Sequence, residues 1–239
     1  MAMDSVSTAP DDRCRCQVLG VPVDACRDVC AAALGLHARG GGRIVTLNAE
    51  MTMSARADAA LGQAIATADL VIPDGAGVVW ALGRQQIRVV KTAGIELAWT
   101  LLEYAAAHQW RVALVGASPE VMATLRAELP QRISGLNLAL AVDGYQAPEA
   151  WPGVEAQLRA LKPDLVLVAL GVPRQELGPN AWRLASMDCG WVSAAVLTSG
   201  PASKNVPPAG CAGCNLNGCI GSSRSLHAGD ACSRCQRLL

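Results

Sequence analysis

Asp164-Leu165-Val166-Leu167-Val168-Ala169-Leu170-Gly171-Val172-Pro173-Arg174-Gln175-Glu176 joins an uninterrupted apolar run to a polar turn, and that join decides the fold. No polar side chain intervenes from Leu165 to Leu170. Such a strand has no face meant for water, so it belongs in a parallel sheet covered on both sides by crossover helices. Upstream segments repeat the theme. Apolar runs at Ile44–Leu47, Asp69–Ile72, Arg111–Val115 and Leu136–Val142 alternate with helical patterns at about 25–38, 55–67, 76–82, 94–108, 120–129 and 148–161. Asp24 is placed to cap the first helix and Gly40-Gly41-Gly42 to end it, while Pro119 suits the first position of the helix that it opens. This alternation predicts an α/β protein with an open, doubly wound, mostly parallel, Rossmann-like sheet. Its ligands should sit beyond the carboxyl ends of the strands.

Composition narrows the function. Hydrophobic residues make up 51% of the 239, enough for a sizeable core, and 20 basic side chains balance 20 acidic ones. No overall field recruits nucleic acid or lipid. Residues 1–18 contain no apolar stretch of the kind a signal peptide needs, and the run from Leu165 to Pro173 is too short to span a bilayer. Cys14, Cys16, Cys26 and Cys30 read as small thiols in a reducing, cytoplasmic setting rather than as a metal site. Residues 1–17 are expected to form a flexible N-terminus and residues 18–177 the α/β domain.

Three polar groupings fall at strand carboxyl ends: Thr46-Leu47-Asn48-Ala49-Glu50, Pro73-Asp74-Gly75-Ala76-Gly77 and Gly171–Glu176. Asp74, between Pro and Gly, is either a helix cap or a general base that takes a proton from a substrate hydroxyl. Thr46 and Asn48 offer neutral groups for sugar hydroxyls or diphosphate oxygens, or serve a turn. Gly116-Ala117-Ser118-Pro119 is a strand-to-helix turn whose N–H groups and small serine suit a phosphate, although the full G-x-G-x-x-G pattern is absent. Gln175 and Glu176 suit a ribose, base or sugar, or simply start a helix.

Taken in order, these elements resemble the WecG/TagA/CpsF family of bacterial glycosyltransferases. The resemblance rests on Leu19-Gly20-Val21-Pro22-Val23-Asp24, Thr46-Leu47-Asn48-Ala49-Glu50, Val71-Ile72-Pro73-Asp74-Gly75-Ala76-Gly77-Val78-Val79, Val112–Gly116, Gly144-Tyr145 and Gly171–Glu176, and covers about residues 18–177. It implies an inverting, hexosyltransferase-type enzyme. Such an enzyme moves N-acetylmannosamine, mannosaminuronate or a similar sugar from a UDP-sugar to a polyprenyl-diphosphate-linked glycan, for teichoic acid, capsule or exopolysaccharide. Asp74 would be the base. Thr46, Asn48, Lys91, Gly116, Ser118, Gln175 and Glu176 would bind substrate, without metal or other cofactor and without nucleic acid. A homo-oligomer fits the resemblance, as does peripheral attachment to the inner face of the cytoplasmic membrane through a basic C-terminal segment. Lys91-Thr92-Ala93-Gly94 stands where the family has R-x-x-G, which keeps the charge but loses the bidentate fork, and Glu96 stands where it usually has Asp. An NAD(P)-dependent oxidoreductase on a similar sheet would need a glycine fingerprint after an early strand, and none is present.

Beyond Glu176 the chain changes character. Residues 178–239 carry 8 Gly, 6 Cys and two acids without periodicity, and are expected to form a poorly ordered tail that leaves the sheet without its sixth strand. Cys211-x2-Cys214 with Cys232-x2-Cys235 has the spacing of a four-thiolate zinc site, the basis of an alternative reading as a non-catalytic zinc or interaction protein. A shifted reading frame removes that reading. Joining the last base of each codon to the first two of the next from Trp191 permits G-V-G-G-S-F-D-I-W-A-G-I-K-K-R-A-P and, later, E-W-L-Y-R, the elements with which the family continues. The gene, or its reported sequence, is therefore expected to slip by one base shortly after Glu176. The cysteines are then by-products of other codons, and the chain as written should be weakly active or inactive, with little affinity for liposomes. The nucleotide sequence across codons 176 to 192 tests this; an alternative frame without the segment removes the idea.

Overall fold

The computed structural model describes residues 13–89, 91–177 and 190–193. A hairpin of β1 (Cys14–Val18) and β2 (Val21–Ala25) precedes α1 (Val29–Ala38). Then come β3 (Gly42–Leu47), α2 (Ala49–Ala57), α3 (Ala59–Ala66), β4 (Leu70–Pro73), α4 (Ala76–Arg84) and α5 (Gly94–Ala107). The chain continues through β5 (Arg111–Gly116), α6 (Pro119–Arg132), β6 (Asn137–Val142), α7 (Trp151–Leu161), β7 (Leu165–Ala169), α8 (Arg174–Leu177) and β8 (Gly190–Ser193). Six strands form one sheet in the order β4-β3-β8-β7-β5-β6, and each neighbouring pair is parallel.

Alternation along the strands divides the core between two faces. Ile44, Leu70, Ile72, Val112, Leu114, Leu165 and Leu167 meet α1, α5 and α6 on one side. Val45, Leu47 and Val71 meet α2, α3 and α4 on the other, and Ala113, Val115, Val166 and Val168 meet α7 there. β3 leads by α2 and α3 to β4 at one edge, and β5 leads by α6 to β6 at the other. β7 and β8 fill the ground between these diverging halves; in open sheets of this kind ligands bind in the crevice beyond the strand carboxyl ends.

Several boundaries move, for identifiable reasons. The single helix expected at 55–67 is two, because Asp58 takes an extended backbone that ends α2 and its carboxylate accepts from Ala60 and Leu61 N–H at 2.8 and 3.2 Å to start α3. The first helix begins at Val29 under an Asp28 cap rather than at Ala25 under Asp24. Residues 14–17, counted with a flexible N-terminus, belong to β1. Of the expected poorly ordered tail, residues 190–193 form β8, hydrogen-bonded to both β3 and β7. The sixth strand is therefore supplied from beyond residue 177, in the interior of the sheet. The rest of that segment, including Cys211, Cys214, Cys219, Cys232 and Cys235, lies outside the described residues.

Asp24 has a different task from the one its sequence position suggests. It is fully buried in β2, and its carboxylate accepts from Arg15 at 2.9 and 2.8 Å and from Val71 N–H at 2.7 Å. β4 is an edge strand, so the hairpin closes an otherwise open margin of backbone donors. Losing one partner of a buried ion pair costs about 3–5 kcal/mol. Arg15 is 40% exposed, so Asp24→Ala is expected to cost less, about 2–3 kcal/mol in urea denaturation. A change below about 0.5 kcal/mol, typical of an ordinary surface site, would contradict this role.

Candidate active site

Asp74 follows β4 directly, and its N–H donates to Leu47 O at 2.8 Å, so the ends of β3 and β4 are tied together where the side chain emerges. The amino end of α5 completes the corner. Gly94 N–H hydrogen-bonds to the Asp74 carboxylate. A Cβ on Gly94 would stand 2.9 Å from Thr46 Cγ2 and 3.3 Å from Asp74 Oδ2, so only glycine allows the helix to begin this close. Thr46 itself is buried at the end of β3. Asn48 caps α2, accepting from Met51 N–H at 2.8 Å through Oδ1, which leaves its amide nitrogen as the group it has to offer a ligand. Gly75 lies against Asn48, with a notional Cβ 4.0 Å from the Asn48 Cβ.

The electrostatics of this corner suit proton transfer. Burial pushes the Asp74 carboxyl above the ordinary carboxylate range; Gly94 N–H and the charge of Lys91 oppose the rise, and Glu96 adds to it. A half-buried carboxylate held above its usual range is a better proton acceptor than a solvated one. The two α5 neighbours named by the resemblance, Gly94 and Glu96, thus act on Asp74 directly. The sequence signal for Gly94 was a glycine at the first position of a strong helical pattern, whose steric reason becomes apparent only when β3 is placed beneath it.

The other candidates stand apart. Two strands separate β3 from β5, roughly 14 Å at ordinary strand spacing. Gly116 has φ +119°, and a Cβ there would stand 2.2 Å from Ala169 O, so this glycine serves the close approach of β5 to β7. Ala117 N–H donates to Ala169 O at 2.8 Å, and Ser118 caps α6 by accepting from Val121 N–H at 3.3 Å. Ser118 holds the carboxyl of the exposed Glu120 below its usual range, so the turn expected to cradle a phosphate is built as a helix cap. Gln175 and Glu176 are each 3% exposed. Gln175 Oε1 accepts from Gly171 N–H at 3.1 Å and its Nε2 donates to Glu176 Oε1 at 2.7 Å, which fixes the turn leaving β7. The structure therefore gathers Thr46, Asn48, Asp74 and Lys91 at one corner, and gives Gly116, Ser118, Gln175 and Glu176 structural contacts around the β5 and β7 ends.

The raised proton affinity of Asp74 has a consequence for stability. A carboxyl whose folded value is raised favours the fold while protonated, below its unfolded value of about 3.9, and that contribution is lost as pH rises through the folded value. At neutral pH the charged group burdens the fold, whereas Asn is neutral and can still accept from Gly94. Asp74→Asn is expected to leave the thermal midpoint equal or higher at neutral pH, with the difference vanishing as pH falls below about 4. A lower midpoint at neutral pH would show that the charge stabilises the corner.

A family model described as Glycosyl transferase WecG/TagA/CpsF family matches residues 16–194, which include the hairpin from Cys16 onward, the Asp74 corner and the inserted strand β8. The chain belongs to the WecG/TagA/CpsF family of glycosyltransferases.

Proposed function

We propose that this glycosyltransferase moves a hexosamine-type sugar, N-acetylmannosamine, mannosaminuronate or a near relative, from UDP to a polyprenyl-diphosphate-linked glycan. The observation that carries the reading is the half-buried Asp74 with raised proton affinity, at the meeting point of β3, β4 and α5. Asp74 takes the proton of an acceptor hydroxyl while that oxygen bonds to the anomeric carbon. The bond to the UDP oxygen breaks on the opposite face with its electron pair, so the configuration inverts. Thr46 and Asn48 orient the reacting sugars. Lys91 and the amino end of α5 supply positive potential near the reacting corner. Gly116, Ser118, Gln175 and Glu176 shape the adjoining end of the crevice by the contacts described above.

On this reading the enzyme works in the cytoplasm, at the inner face of the membrane, in assembly of a cell-surface polysaccharide such as teichoic acid, capsule or exopolysaccharide. With the alternative frame restored after Glu176, purified enzyme should release UDP from UDP-N-acetylmannosamine or a related UDP-sugar in the presence of a lipid-diphosphate sugar acceptor. Asp74→Asn in that enzyme should lower turnover by roughly 10²–10⁴-fold, the usual contribution of a general base. Full activity of the Asn variant would remove Asp74 as the base.

A further inference from the structure

We propose that the outer face of α4, continued by the segment leading to α5, docks the protein onto an anionic lipid bilayer. From Gly75 to Ile95 the chain has three cations, Arg84, Arg88 and Lys91, and no acid, although the molecule as a whole balances 20 basic against 20 acidic residues. The stretch is bounded by Asp74 and Glu96. Within it α4 turns Val78 and Leu82 into the core and leaves Trp80 69% exposed. Arg84, one turn on, shares the face of Trp80, and Ala76 and Gly83, both exposed, are too small to shield the indole.

A second apolar residue is exposed on the turn that reaches the end of α4. Gln85 Nε2 donates to Gln17 O at 2.9 Å, which brings the β1–β2 turn to the end of α4. At that turn Leu19, with φ +52°, is 59% exposed. An exposed indole one turn from an arginine, with an exposed leucine on the turn bonded to the same helix, matches the chemistry of a bilayer boundary, where aromatic rings sit at headgroup level and cations meet anionic headgroups. A second copy of the chain is a poorer occupant. A two-fold contact through this face would set Arg84 and Arg88 near their own equivalents, with no acid in the stretch to receive them. No helix among the described residues is long and apolar enough to cross a membrane, so these residues can meet one only at its surface.

The surface adjoins the candidate site, because the charge of Lys91 acts on Asp74. Here the inference rests on the transferase reading: docking by this face brings the base to the level at which a lipid-linked diphosphate presents its sugar. It also revises the expectation that the chain, lacking the basic C-terminal segment, binds liposomes only weakly.

The test is cosedimentation of the full chain with vesicles of phosphatidylcholine alone and of phosphatidylcholine with phosphatidylglycerol, at low and moderate salt. Binding to the mixed vesicles that weakens with salt is expected. Arg84→Gln with Arg88→Gln should reduce it roughly 25-fold, at roughly 5-fold per cation. Trp80→Ser should reduce it several-fold, and the circular dichroism spectrum and UDP affinity of the variants should match the parent. Absence of binding, or equal binding by all variants, overturns the proposal. So does a concentration-dependent dimer that Trp80→Ser abolishes. Failure of the parent chain to bind UDP would count against the transferase reading and leave the lipid result standing.

Discussion

A helix can begin against the end of β3 only if its first residue has no side chain, and Gly94 meets that condition. Its N–H reaches the Asp74 carboxylate, and the space a Cβ would fill belongs to Thr46. The chemistry of the corner follows from this packing. Burial raises the proton affinity of Asp74, while one hydrogen bond and one nearby cation limit the rise. A bulkier residue at the start of α5 would push the helix away from both strands. The carboxyl would then return to water and lose the property that suits it to accept a proton.

Much of the sheet was legible because burial on two faces leaves a plain mark. The strands β3, β4, β5, β6 and β7 are apolar runs of the right length, and the helices between them carry recognisable ends such as Ser118-Pro119. The hairpin was not legible. Val21-Pro22-Val23-Asp24 reads as an approach to a helix, since nothing local reveals that Asp24 answers Arg15 and an edge N–H of β4. β8 escaped for a related reason. A four-residue strand within a glycine- and cysteine-rich stretch has little periodicity of its own, and its place is set by the gap between β3 and β7.

The same distinction holds at the site. Asp74, Thr46 and Asn48 were identifiable because polar residues at strand ends of an α/β sheet face its crevice. Gly116 and Ser118 carried an equally suggestive pattern, yet their geometry answers needs of packing: the strand approach at Ala169 and the cap of α6. Gln175 and Glu176 suit either a ligand or a helix start in sequence, and they lie in the short helix α8, buried and hydrogen-bonded to each other. Spacing alone does not separate a polar residue that serves a turn from one that serves a substrate. Burial and hydrogen-bond partners do.

The family match runs through residue 194 and so spans β8 as well as the elements before it. The central claim is that the β3–β4–α5 corner holds the reacting sugar. A crystal structure of the protein with a UDP-N-acetylhexosamine tests it most directly. The expected result is the sugar ring lying over Thr46, Asn48 and Asp74, with its anomeric carbon open on the side of the Asp74 carboxylate. A sugar bound instead over the Gly116–Ser118 turn, out of reach of Asp74, would contradict it.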